Sequence, residues 1–111
     1  MSDELARIGA DDVAPGTAVR LAGGPDGICL VRIGDDFYAL GDRCSHANVS
    51  LSEGDVDEDD LWIECWKHGS AFSLVDGQPK SLPATTPVPC YQVRRDGGDV
   101  VVFEERGEGA R

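Results

Sequence analysis

Cys44-Ser45-His46 and Cys65-Trp66-Lys67-His68-Gly69-Ser70 decide how the rest of this chain is read. Each segment sets a cysteine and a histidine close together, C-x-H and then C-x-x-H, with eighteen residues between the pairs. Thiolates and imidazoles are the ligands that zinc, copper and iron–sulfur centres take. Two Cys and two His fit a mononuclear zinc ion. They also fit a [2Fe–2S] cluster in which two thiolates hold one iron and two imidazoles the other. Zinc fingers place two cysteines together and two histidines together. Here each pair is mixed, so each loop would give one ligand to each iron. A zinc site, or four Cys and His side chains packed in a core, are the alternatives.

These segments resemble the loops of the Rieske [2Fe–2S] family, which read C-x-H and C-x-x-H-G-S. Leu82-Pro83-Ala84 is similar to the family's third, proline-containing loop, which closes over the cluster. The resemblance runs from about residue 28 to residue 103. It implies one cluster per chain, with Cys44, His46, Cys65 and His68 as ligands and Ser70, Phe72 and Pro83 around them. Ser70 stands where the family's serine donates to a bridging sulfide. Phe72 stands where a tyrosine often bonds a cysteine sulfur, and it has no hydroxyl to give. High-potential members carry an extra cysteine in each loop, joined as a disulfide. Val49 and Lys67 occupy those positions here, so the loops are unbridged, as in the soluble ferredoxins that serve ring-hydroxylating oxygenases. Trp66 replaces the proline common after the second cysteine.

The remaining sequence reads as all-β. Short runs of Val, Ile, Leu and aromatics are punctuated by Gly, Asp and Pro, and helical periodicity is almost absent. Strands are expected at Leu5 to Ile8, Thr17 to Leu21, Ile28 to Ile33, Phe37 to Leu40, Leu61 to Glu64, Ala71 to Val75, Cys90 to Arg94 and Asp99 to Phe103. Asp11-Asp12-Val13 reads as a turn or one helical turn. Gly34-Asp35-Asp36, Asp76-Gly77 and Asp96-Gly97-Gly98 read as hairpin connections. Glu53 to Asp60 is strongly acidic. A calcium loop counted from Asp55 fails there, with Asp60 in place of the glycine and Trp66 in place of the final glutamate. A solvated hairpin tip is expected instead. The prolines at 83, 87 and 89 make residues 81–89 a stiff, extended loop, and residues 104–111 form a frayed polar tail. The resemblance gives this pattern its architecture: a single domain over residues 1–111, an antiparallel β sandwich or barrel, and a small cluster-binding subdomain. Its loops lie at about residues 42–50 and 65–72.

Composition limits the function. A net charge of −11 repels nucleic acid and anionic membrane surfaces. The start, Met1-Ser2-Asp3-Glu4, has no basic region followed by an apolar one, so no signal peptide is expected. No wholly apolar run is longer than that of Val100 to Phe103, too short to span a bilayer. A cytoplasmic location follows as an expectation. In that compartment Cys29 and Cys90 are read as buried free thiols rather than a disulfide. Asn48-Val49-Ser50 matches a glycosylation sequon without meaning there.

No catalytic arrangement survives once the chain's two histidines are ligands. The resemblance therefore implies an electron carrier, not an enzyme, passing electrons from a flavin-dependent reductase to a terminal oxygenase. The acidic span favours a partner with a basic rim. The alternatives are a non-catalytic small subunit or accessory protein, as in nitrite reductase or iron–sulfur assembly, and a zinc-stabilised β domain that only binds partners.

Overall fold

The computed structural model describes residues 4–23, 27–43, 49–66, 69–80 and 88–103. Cys44, His46, His68, most of the proline stretch with Pro83, and the 104–111 tail lie outside them. The described residues form nine strands. These are β1 (Glu4–Gly9), β2 (Thr17–Leu21), β3 (Ile28–Ile33), β4 (Asp36–Gly41), β5 (Asp55–Asp57), β6 (Trp62–Glu64), β7 (Ala71–Ser73), β8 (Cys90–Asp96) and β9 (Asp99–Phe103). Short 3-10 turns occupy Ala10–Asp12 and Leu51–Glu53.

Every pairing is antiparallel, in two sheets: a six-stranded one ordered β1-β9-β8-β4-β3-β2 and a three-stranded one ordered β5-β6-β7. β8 joins the halves of the larger sheet by changing partner along its length. Cys90 and Tyr91 pair with β4, and Gln92 to Asp96 pair with β9. That exchange curls the sheet on itself.

β3 shows why its sequence is continuously apolar instead of alternating. Cys29 and Val31 face one core while Ile28 and Leu30 face another, so both sides of the strand are covered. The second core lies within the curl of the larger sheet and includes Ala10, Val13, Ala39, Val100 and Val102. The first lies between the sheets, where Cys29, Val31 and Leu40 meet Leu51, Ile63, Cys65, Phe72, Leu74 and Val88. The smaller sheet has no core of its own and depends on this contact.

Two expectations are corrected. The acidic span is not only a solvated tip, because Asp55–Asp57 is a strand registered Asp55↔Glu64, Val56↔Ile63 and Asp57↔Trp62. Val56 turns inward onto the first core, while Asp57 organises the turn that follows. Its Oδ1 accepts the amide N–H groups of Asp59 and Asp60, each at 3.0 Å. Together with the Trp62 side chain, these donors hold the Asp57 carboxyl below its ordinary range, the Asp60 amide contributing most. Cys90, expected buried, is only half-buried, and its thiol donates to the Val75 carbonyl at 3.4 Å. Cys29 is fully buried as expected. Burial, and then the nearby charge of Asp42, pushes its thiol well above the ordinary range, so it stays protonated.

Candidate metal centre

The second Cys/His segment hangs from the β6–β7 hairpin. Below it, Glu64 pairs with Ala71. Above that rung the Cys65 N–H donates to the Ser70 carbonyl at 2.6 Å and the Gly69 N–H to the Cys65 carbonyl at 3.0 Å. These two bonds tie Cys65 to Gly69 and Ser70, and β7 begins directly after them at Ala71. Cys65 continues the inward face of Ile63 and is 1% exposed, packed into the core with Leu51 and Phe72. Ser70 and Phe72 are fully buried beside it. Trp66, on the opposite parity, is 54% exposed at the loop's outer side.

The first segment leaves the larger sheet where β4 ends. Arg43 and Ser50 form an isolated bridge, and the Leu51 N–H returns to the Asp42 carbonyl at 3.1 Å. Asp42 and Arg43 are thus drawn against Ser50 and Leu51 at the base of the first segment. That base meets the second loop directly: Leu51 shares the core with Cys65, and the bare Cα of Gly54 lies against the Glu64 carbonyl.

The structure therefore brings together Cys65, Ser70 and Phe72, and sets the base of the C-x-H loop beside them. Cys44, His46, His68 and Pro83 lie outside the described residues. The far end of the proline stretch is fixed nearby. Val88 is buried in the same core and donates its N–H to the Gly77 carbonyl at 3.0 Å, and the Gly41 N–H donates to the Pro89 carbonyl at 2.8 Å. Cys65, Cys29 and Cys90 form no disulfide. Among the described residues, no three His, Cys, Asp or Glu side chains gather into a cation site, the acids of the β5–β6 hairpin included.

A buried thiol on one tight loop, joined at its base to a second Cys/His loop, fits a metal centre with mixed thiolate and imidazole ligands. The model of the Rieske [2Fe–2S] domain matches residues 5–92. The chain belongs to the Rieske [2Fe–2S] family. The family implies a [2Fe–2S] cluster, and the donor set suits one. The chain is 45% identical, over 82% of its length and 84% of the relative's, to the 3-phenylpropionate/cinnamic acid dioxygenase ferredoxin subunit of Escherichia coli (strain K12). The ferredoxin of carbazole 1,9a-dioxygenase from Nocardioides aromaticivorans IC177 superposes with a TM-score of 0.85 at 32% identity, covering 95% of this chain and 99% of that one. A chain from a complex of reduced oxygenase and oxidized ferredoxin in carbazole 1,9a-dioxygenase matches with a TM-score of 0.85 at 38% identity, covering 96% of this chain and 97% of that one. Among the described residues of this Rieske chain, no helix is long and apolar enough to cross a membrane.

Sequence reasoning passed over Asp42. Its side chain is fully buried at the base of the first loop, with Oδ1 accepting the Ser52 N–H at 2.7 Å and Oδ2 standing 3.0 Å from Arg20 Nε. The only signal was its place in Gly41-Asp42-Arg43, directly ahead of the first cysteine. An aspartate in such a stretch reads as a solvated turn residue.

Proposed function

We propose that this protein is a one-electron carrier of the ferredoxin kind. In this reading Cys44 and Cys65 hold one iron of a single [2Fe–2S] cluster, and His46 and His68 hold the other. The cluster supplies a site that takes up and releases one electron without bond making in a substrate. The chain's own residues do the rest. The bonds tying Cys65 to Gly69 and Ser70 fix its thiolate, and the buried Ser70 stands beside it to donate to sulfur. The half-exposed Trp66 marks the side from which a partner approaches. Aromatic anchors of this kind carry much of the affinity of small interfaces.

The observation that carries the reading is the buried Cys65, tied to Gly69 and Ser70, against the base of the C-x-H loop. The ferredoxin subunits among its relatives support it. The electron donor is a flavin-dependent reductase and the acceptor a terminal oxygenase of an aromatic dioxygenase system, in the cytoplasm. The chain is the carrier between them and transforms no substrate.

The test is direct. The purified protein should be red-brown, with two irons and two inorganic sulfides per chain, as one such cluster requires. Cys44→Ala, His46→Ala, Cys65→Ala and His68→Ala should each lose the cluster and much of the fold, because ligation and folding are coupled. A colourless protein holding one zinc per chain would overturn the reading. Reconstituted turnover with a reductase and an oxygenase then tests the partners separately.

A further inference from the structure

Asp42 is held at three points, two of them where the chain returns from the first loop. Its N–H donates to the Gly27 carbonyl at 3.1 Å, its carbonyl accepts the Leu51 N–H at 3.1 Å, and its Oδ1 accepts the Ser52 N–H at 2.7 Å. The loop that carries Cys44 and His46 therefore leaves from this residue and returns to it. The other carboxylate oxygen is served differently. Arg20 Nε stands 3.0 Å from Oδ2, yet among the described residues no donor is aligned on that oxygen. The pair is held by charge rather than by a directed bond.

Arg20 reaches this position because of the fold around it. It pairs with Cys29 across β2–β3, and Cys29 pairs with Leu40 across β3–β4, so Arg20 lies on the face that the smaller sheet covers. Gly27, at φ +86°, makes the room. A Cβ there would stand 3.1 Å from Arg20 Nε and 3.2 Å from Nη2. The glycine thus gives its carbonyl to Asp42 and its bare Cα to the guanidinium.

A neutral amide would accept the Ser52 N–H equally well. Burying an ionised carboxylate is unfavourable unless it is paired, and here the partner side chain is 62% exposed and only partly offsets it. The charge therefore calls for a role of its own. It sits two residues ahead of Cys44 in a poorly solvated place, where fields are weakly screened. The Cys29 thiol already feels it.

We propose that Asp42 and Arg20 form a charged clamp that positions the Cys44–His46 loop and sets the cluster's reduction potential. Asp42 is a positioning residue, acting through the loop and through its field. This rests on the cluster assignment made above. Reduction adds a negative charge to the centre, so the Asp42 carboxylate opposes it and the Arg20 guanidinium favours it.

The test uses the holoprotein at one fixed, near-neutral pH, with potentials from film voltammetry or EPR-monitored titration. Asp42→Asn keeps an acceptor for the Ser52 N–H and removes the charge, and the potential should shift upward. Arg20→Gln should shift it downward, and Arg20→Lys should restore it. Hydrogen exchange of the peptide covering residues 42–53 should accelerate in Asp42→Ala and change little in Asp42→Asn. Shifts in the same direction for Asp42→Asn and Arg20→Gln, or none in either with the cluster retained, overturn the electrostatic role. Unchanged exchange in Asp42→Ala overturns the positioning role. If Asp42→Asn fails to hold a cluster, Arg20→Gln against Arg20→Lys decides the first point. A protein that never holds a [2Fe–2S] cluster fails on colour and iron content instead, while the exchange comparison still judges the loop.

Discussion

Gly54→Ala should weaken the protein and loosen its metal centre, although the backbone there has an ordinary conformation, with φ −86°. The reason is space. A Cβ at Gly54 would overlap the Glu64 carbonyl oxygen, stand 2.9 Å from the Glu64 carbonyl carbon and 3.2 Å from the Leu51 oxygen. All three atoms are backbone, so no side chain can swing aside. Relief requires β6 to retreat from β5, and the Asp55↔Glu64 pair opens with it. Overpacking of this kind costs about 1–3 kcal/mol. The loss of glycine's freedom in the unfolded chain returns about 0.4–1 kcal/mol. With only backbone to yield, the upper half of the first range applies, and the net loss is about 2 kcal/mol. For a domain of this size that lowers the melting temperature by roughly 8 °C. Because Glu64 precedes Cys65, the same movement displaces the thiol proposed as a ligand, and iron content should fall. Gly98→Ala is the control, since a Cβ there meets no heavy atom within 4 Å. Melting of both holoproteins would be followed at one scan rate by visible absorption and far-ultraviolet circular dichroism. Gly54→Ala melting with the parent, or above it, would refute the close approach of Gly54 to the β6 backbone.

Ser70→Ala should lower the reduction potential, and Phe72→Tyr should raise it, because donors to the sulfurs stabilise the more negative reduced centre. Both side chains are fully buried beside Cys65. A tyrosine hydroxyl that reached no sulfur would instead lose about 1–3 kcal/mol as an unpaired buried group, visible as a lower melting temperature with an unmoved potential. Asp57 should make the β5–β6 hairpin acid-sensitive. Its carboxyl ionises more readily in the folded chain than in the unfolded one, so its contribution is fully present above the unfolded carboxylate pKa of about 3.9. The contribution is lost as pH falls through the lower folded value. The melting-temperature difference between the parent and Asp57→Ala should therefore shrink below about pH 4 and stay constant above pH 5. A difference that does not change with pH would show that the turn does not depend on the charge.

The family motif and most strands were legible because the information is local. C-x-H and C-x-x-H-G-S are complete within a few residues, and Gly34-Asp35 or Gly97-Gly98 mark their hairpins without reference to the rest of the chain. β5 was not legible. Asp-Val-Asp has weak strand character, and it forms a strand because β6 offers a free edge and Val56 a contact with the core. The half-burial of Cys90 was hidden for a similar reason. It starts the strand that changes partners, and the covering expected from its apolar neighbours is incomplete there. Asp42 was the largest omission. Its burial depends on Arg20, Gly27 and Ser52, which only the folded sheet brings together.

The two Cys/His loops grow from different sheets, and this decides how the centre relates to the fold. The first leaves β4 of the larger sheet, while the second belongs wholly to the smaller one. Their common floor is the core between the sheets, built from Cys29 and Leu40 on one side and Ile63, Cys65 and Phe72 on the other. The larger sheet keeps a separate core inside its curl, whereas the smaller sheet has only this contact. A metal centre held by both loops therefore ties the weaker unit to the stronger, and its ligand bonds act in parallel with the inter-sheet packing. Disturbing either one acts on the other. The small sheet's stability and the geometry of a metal centre held in this way would then be coupled, and Gly54, packed on the Glu64 carbonyl just ahead of Cys65, is the place to perturb both at once.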